Sequence, residues 1–114
     1  MEIVRDGITL ATLAGMAVGM FGDLVKAVVD VERGIMAVNA ELHADEEALL
    51  LSDGSSQADL WGVNLYPADV GTPRFLEFDS MINVRPRQGN RSRSVDDPAL
   101  RARISAIVGG LVTP

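Results

Sequence analysis

At 114 residues, 47% hydrophobic and 23% charged, the chain is long enough for one domain with one core and too apolar to be disordered. Its net charge of −6 argues against a general nucleic-acid binder, because a polyanion would be repelled on average. The lack of cysteine excludes a disulfide framework, a thiolate metal site and a cysteine nucleophile, and it suits a cytoplasmic setting.

No run of about 18 apolar residues is present, so no membrane-spanning helix is expected. Ile8–Phe21 is the most apolar stretch near the start. Glu2 and Asp6 offset Arg5 there, so the positive leader of an export signal is missing.

Glu2–Val4 is a candidate edge strand. Thr9–Met20 reads as a helix, with Thr9 as N-cap and Leu10, Leu13, Ala14, Ala17 and Phe21 at helical spacing. Gly15 and Gly19 weaken it by ~1 kcal/mol each relative to alanine, but let it approach a sheet closely. Leu24–Leu42 reads as a β-hairpin. Val25, Ala27, Val29 and Val31 alternate with Lys26, Val28, Asp30 and Glu32, the period of a half-buried strand. With Arg33-Gly34 as a two-residue turn, Val31 faces Met36, Val29 faces Val38, Val25 faces Leu42 and Lys26 faces Glu41.

The segment after Leu42 fits two periods. Acids in the first turn and Gly54 past the end suit a helix. Alternation of His43, Asp45 and Glu47 against Leu42, Ala44, Ala48 and Leu50 suits a strand, and the strand is preferred because the next segment is also extended. Leu60–Tyr66 reads as a strand and Pro67–Pro73 as a loop. Phe75–Arg85 reads as a long strand with Leu76, Phe78, Ile82 and Val84 on one side, and Ser80 needing a partner among them. Pro86–Val95 is a polar loop. The last element is a helix capped by Asp97, with Pro98 in its first turn and a stripe of Leu100, Ile104, Ile107, Val108 and Leu111.

These elements predict an α+β fold in a single domain, residues 1–114. A mostly antiparallel β-meander carries an N-terminal and a C-terminal helix packed on one face. The other face, with Lys26, Asp30, Glu41 and Asn83, is expected to be wet or to join a partner.

Three stretches, MFGDLVKAVVDVERGIMAV, ELHADEEALLL-DGS-Q-DLWG-NLYP and FDSMINVRPRQGNRSR, cover most of residues 20–93. In them the chain resembles a small bacterial family classed as a domain of unknown function. The resemblance implies a class and no catalytic residues.

Three groups of residues could carry function. Arg85, Arg87, Asn90, Arg91 and Arg93 surround Gly89 and run into a helix start, a composition suited to an anion because guanidinium forks pair with phosphate or carboxylate. Asp96 and Asp97 already occupy that terminus, and no P-loop pattern is present. His43, Asp45 and Glu47 could hold a divalent metal or exchange protons, with Asp79 or Asp59 completing the set, though one histidine is few for a catalytic zinc site. Trp61, Asn64 and Tyr66 could line a ligand groove, or simply serve the core and its rim. No cofactor is required by any of these.

The leading expectation is a binding or interaction module that recognises an anionic group through Arg85–Arg93, with a homodimer through sheet edges as its assembly. The alternatives are a small metal-dependent hydrolase built on His43, Asp45 and Glu47, and a structural or regulatory protein partner with no small-molecule site. Convergence of His43 with the arginine loop would favour the first two.

Overall fold

A computed structural model describes residues 1–114. Five strands form one sheet in the order β1-β4-β3-β5-β6: β1 (Glu2–Val4), β3 (Val25–Asp30), β4 (Ile35–Val38), β5 (Leu60–Leu65) and β6 (Leu76–Glu77). All neighbours in it are antiparallel. A second, parallel pair joins β2 (Ile8–Thr9) to β7 (Val112–Thr113), near the two ends of the chain. Three α-helices complete the α+β fold: α1 (Leu10–Gly19), α2 (His43–Ser52) and α3 (Pro98–Leu111).

Both expected end helices form with the expected caps. Thr9 accepts from the Thr12 amide at 3.1 Å, and Asp97 accepts from the Ala99 amide at 2.9 Å. They cover one sheet face. Leu13 and Ala17 of α1 join Ile104, Val108 and Leu111 of α3 over Val25, Ala27, Val29, Met36, Val38 and Val63. Each large aliphatic side chain buried there stabilises the fold by about 1.5–3 kcal/mol.

The hairpin is present, but its register differs by two residues from the expected one. Val29 pairs with Met36 and Ala27 with Val38. The turn holds four residues, not two, because Asp30 organises it. One Asp30 carboxylate oxygen accepts from the Glu32 and Arg33 amides at 2.9 Å each, and the Asp30 carbonyl accepts from Gly34. Gly34 supplies the left-handed φ of +67°. A two-residue slip keeps each side chain on its own face, so the apolar face survives. The Lys26–Glu41 and Val25–Leu42 pairs do not form, because β4 ends at Val38 and the chain then turns toward α2.

The second sheet face is neither wet nor open. Residues 43–52 are helix, not strand, and α2 lies across that face. His43, Glu46 and Leu50 are buried at helical spacing, and Leu50 packs with Val28, Ile35, Ala37 and Leu60. The Ser55 amide returns to the Leu50 carbonyl past Gly54, whose φ of +103° closes the helix. Asp30 and Asn83, expected on an exposed face, are fully buried.

The long strand expected over Phe75–Arg85 is also replaced. Only Leu76–Glu77 pairs with β5. Beyond it, Ser80 caps a short 3-10 turn, Met81–Asn83, and side chains take over where backbone pairing stops. The Gly62 amide donates to the Asn83 carboxamide oxygen at 2.8 Å, and the Asn83 nitrogen donates to the Gly62 carbonyl at 2.9 Å. One amide side chain thus stands in for a strand residue at the edge of β5.

Candidate functional site

The arginine-rich segment divides into scaffold and surface. Arg85 is scaffold. Its guanidinium donates to the carbonyls of Ile82 and Gln57 at 2.8 Å each, and also to that of Leu60. It lies 4.6 Å from the Trp61 ring centre and 3.6 Å from a Glu47 oxygen. Burial lowers its pKa, with Glu47 working against the shift. A guanidinium so engaged has little left for an incoming anion. Asn90 is scaffold too: its nitrogen donates to Asn83, Ser92 and Ser94 carbonyls, and its oxygen accepts from the Asp96 amide. Arg87 and Arg91 are exposed. Neither side chain has a polar partner within the molecule.

Arg93 goes elsewhere. It reaches a cleft of about 180 Å³ that is lined by Lys26, Leu42, His43, Ala44, Ser80, Met81, Ile82 and itself. Four separate parts of the chain meet there: β3 supplies Lys26, the start of α2 supplies His43, the 3-10 turn supplies Ser80 to Ile82, and the polar loop supplies Arg93. Leu42 is the N-cap of α2 and makes no side-chain cap bond, although Asp45 and Glu46 stand in the first turn of the helix.

The charges in the cleft are unevenly matched. Arg93 donates through Nε to Asp79 at 2.6 Å, a pair whose side chains are 55% and 45% exposed. That exposure limits the pair to at most about 1 kcal/mol and leaves the other guanidinium nitrogens open. Lys26, the sole lysine in a chain with 16 carboxylates, makes no salt bridge or hydrogen bond through its side chain. Its ammonium lies only over the Phe21 ring, 5.1 Å from the centre. His43 is buried, and its Nε2 meets the Val63 carbonyl at 2.8 Å. A carbonyl accepts only, so Nε2 carries the proton and Nδ1 is the basic nitrogen. Burial lowers the His43 pKa, against the Val63 hydrogen bond, so the ring is neutral at pH 7.

A family model described as "Protein of unknown function (DUF5674)" matches residues 2–111. The chain belongs to the DUF5674 family. No curated protein and no solved structure matches it.

In this DUF5674 protein the other candidate groups fall apart geometrically. On α2 His43 is buried and Glu47 half-buried, but Asp45 is exposed, and no three His, Asp or Glu side chains converge as a metal would require. Trp61 belongs to the main core. Asn64 and Tyr66 share a Glu77 oxygen, at 2.8 and 3.0 Å, which ties them to β6. The three do not form one groove.

Two members of the cleft region carried little signal in the sequence. Lys26 looked like one half of a cross-strand ion pair, and only its being the single lysine set it apart. Glu46 looked like one acid among three. It is fully buried, accepts from the Ala40 amide at 3.1 Å through one oxygen, and leaves the other without a partner. Burial pushes its pKa up to about 9.

Proposed function

We propose that this DUF5674 protein is a small binding module that takes an anionic group, phosphoryl or carboxylate, in the cleft of Lys26, His43, Ser80 and Arg93. The reading keeps the anion chemistry expected of the arginine-rich segment, but moves it to the last arginine of that segment and adds a lysine from the sheet. One observation carries it: Lys26 is half-buried in an acidic protein with its ammonium in no salt bridge, facing a cleft that Arg93 also enters, and the carboxyl that feels its charge, Glu46, is kept protonated at neutral pH by burial. A cation held that way is complementary to a negative charge from outside.

Size supports a group rather than a whole cofactor. Small-molecule pockets usually hold about 300–1,000 Å³, and this cleft is smaller. The cysteine-free composition supports the same module working in the cytoplasm.

Calorimetric titration with inorganic phosphate and with acetate, over a series of salt concentrations, tests the reading. Wild type should bind with an affinity that falls as salt rises, and the Lys26→Ala/Arg93→Ala variant should lose at least tenfold. An Arg87→Ala/Arg91→Ala variant should bind as wild type does. Equal affinity in the wild-type and Lys26→Ala/Arg93→Ala proteins would end the proposal.

A further inference from the structure

The cleft is lined by two kinds of side chain. Lys26, His43 and Arg93 supply the polar end, while Leu42 and Met81 stand at the opening with 56% and 65% of their surface exposed. Phe21, under the Lys26 ammonium, is 40% exposed. Single exposed apolar residues are ordinary on a protein surface. Here two of the most exposed ones in the chain line one small charged cleft, Leu42 from the start of α2 and Met81 from the 3-10 turn.

Neither is exposed for lack of a core to enter. Leu42 is the N-cap residue, a position that Ser, Thr, Asp or Asn would fill with a hydrogen bond. Met81 opens the 3-10 turn beside Ile82, which does pack inward against the α2 layer. At both positions a polar residue would suit the local backbone at least as well, so the apolar choice points outward, to what enters the cleft.

We propose that the ligand is a soluble amphiphilic anion, a phosphate monoester whose short apolar substituent rests on Leu42 and Met81. The inference rests on the anion-binding reading of the cleft and adds the class of molecule. The volume argument selects this class: the cleft admits the head group, and the rest of the molecule must lie across the mouth. A polar substituent would there desolvate against two apolar side chains without a partner, which costs free energy, whereas covering methylenes against them is favourable.

The test compares n-butyl phosphate, glycerol phosphate and inorganic phosphate on the whole protein by calorimetry. Wild type should bind butyl phosphate at least tenfold more tightly than glycerol phosphate. Leu42→Ala/Met81→Ala, which removes the apolar side chains without adding a helix cap, should reduce that ratio below threefold and leave inorganic phosphate unchanged. Both residues are exposed, so the variant should keep its thermal midpoint, which is measured alongside. Equal binding of the two esters to wild type overturns this inference and leaves the anion reading standing. So does a ratio that the rim variant does not alter. No binding of any phosphate species overturns both. Sedimentation with phosphatidic acid vesicles, without binding of butyl phosphate, would assign the cleft to a membrane surface and overturn the soluble ligand.

Discussion

Ser80 lies directly on Gly62: a Cβ built at position 62 would come 2.5 Å from the Ser80 hydroxyl and 2.6 Å from its Cβ. Both residues are buried, and the contact lets the chain after β6 fold down onto the exposed edge of β5. Gly62 has no left-handed backbone requirement, so space alone demands glycine there. Gly62→Ala should therefore destabilise the protein by about 1–3 kcal/mol through overpacking. The Ser80→Gly/Gly62→Ala double variant should recover part of the loss. Urea denaturation midpoints measure both, and no difference between the Gly62→Ala single variant and wild type would refute the packing account.

Arg85 and Arg87 are two residues apart and should behave oppositely. Removing Arg85 strands the carbonyls it serves and takes the cation from the Trp61 face. Arg85→Ala should cost about 2–4 kcal/mol, and Arg85→Lys should not restore it, since an ammonium cannot reproduce the planar fork. Arg87→Ala should stay within about 0.5 kcal/mol of wild type. Chemical denaturation followed by the fluorescence of the single tryptophan gives the comparison directly.

Glu46 should make stability depend on pH. Its carboxyl is shifted from the usual 4.5 up to about 9 by burial. Between those values the folded protein holds a proton that the unfolded chain releases. Its contribution is therefore full below about pH 4.5 and is lost as pH rises through about 9. Glu46→Gln keeps an oxygen for the Ala40 amide and cannot ionise. It should flatten the pH dependence above pH 5 and be more stable than wild type at pH 8 by at least about 1 kcal/mol. Parallel stability curves for the two proteins from pH 5 to 9 would rule the assignment out.

His43 should tune the cleft in the acid range. Its depressed pKa leaves Lys26 and Arg93 as the cations at neutral pH, with Asp79 the carboxylate nearest to Arg93. Protonation of Nδ1 adds a third positive charge. Sulfate does not titrate in this range, so its affinity should rise in wild type as pH falls below 6.5 and stay flat in His43→Gln. The sign for folding is opposite: a histidine with a lowered folded pKa stabilises above its unfolded value near 6.5, and the stabilisation fades as pH falls below it. A sulfate affinity that does not move with pH in wild type would exclude His43 from the site.

Much of the fold was legible because periodicity and caps are local. Thr9, Asp97 and Pro98 marked their helices correctly, and the alternation from Val25 to Val31 marked a buried face. What was lost depended on partners distant in sequence. The hairpin register hinges on the Asp30 carboxylate, whose second oxygen accepts from Ser55 at 2.6 Å. The α2 segment has three consecutive leucines that satisfy either period, and only the empty second face of the sheet decided for helix. Arg85 and Asn90 share the composition of an anion loop, but their partners are carbonyls that no spacing reveals. Lys26 and Arg93 are 67 residues apart in the chain, and their meeting required α2 to be a helix.

Asn83 and Arg85 also determine how this sheet can meet another chain. With a carboxamide plugging Gly62 and a guanidinium holding Leu60, the bare half of β5 offers no free rungs to a visiting strand. Recruitment by strand addition is thereby left to two short borders, Glu2–Val4 with three residues and Leu76–Glu77 with two. A protein with so short a template is guarded against runaway stacking into fibres even when its concentration is high.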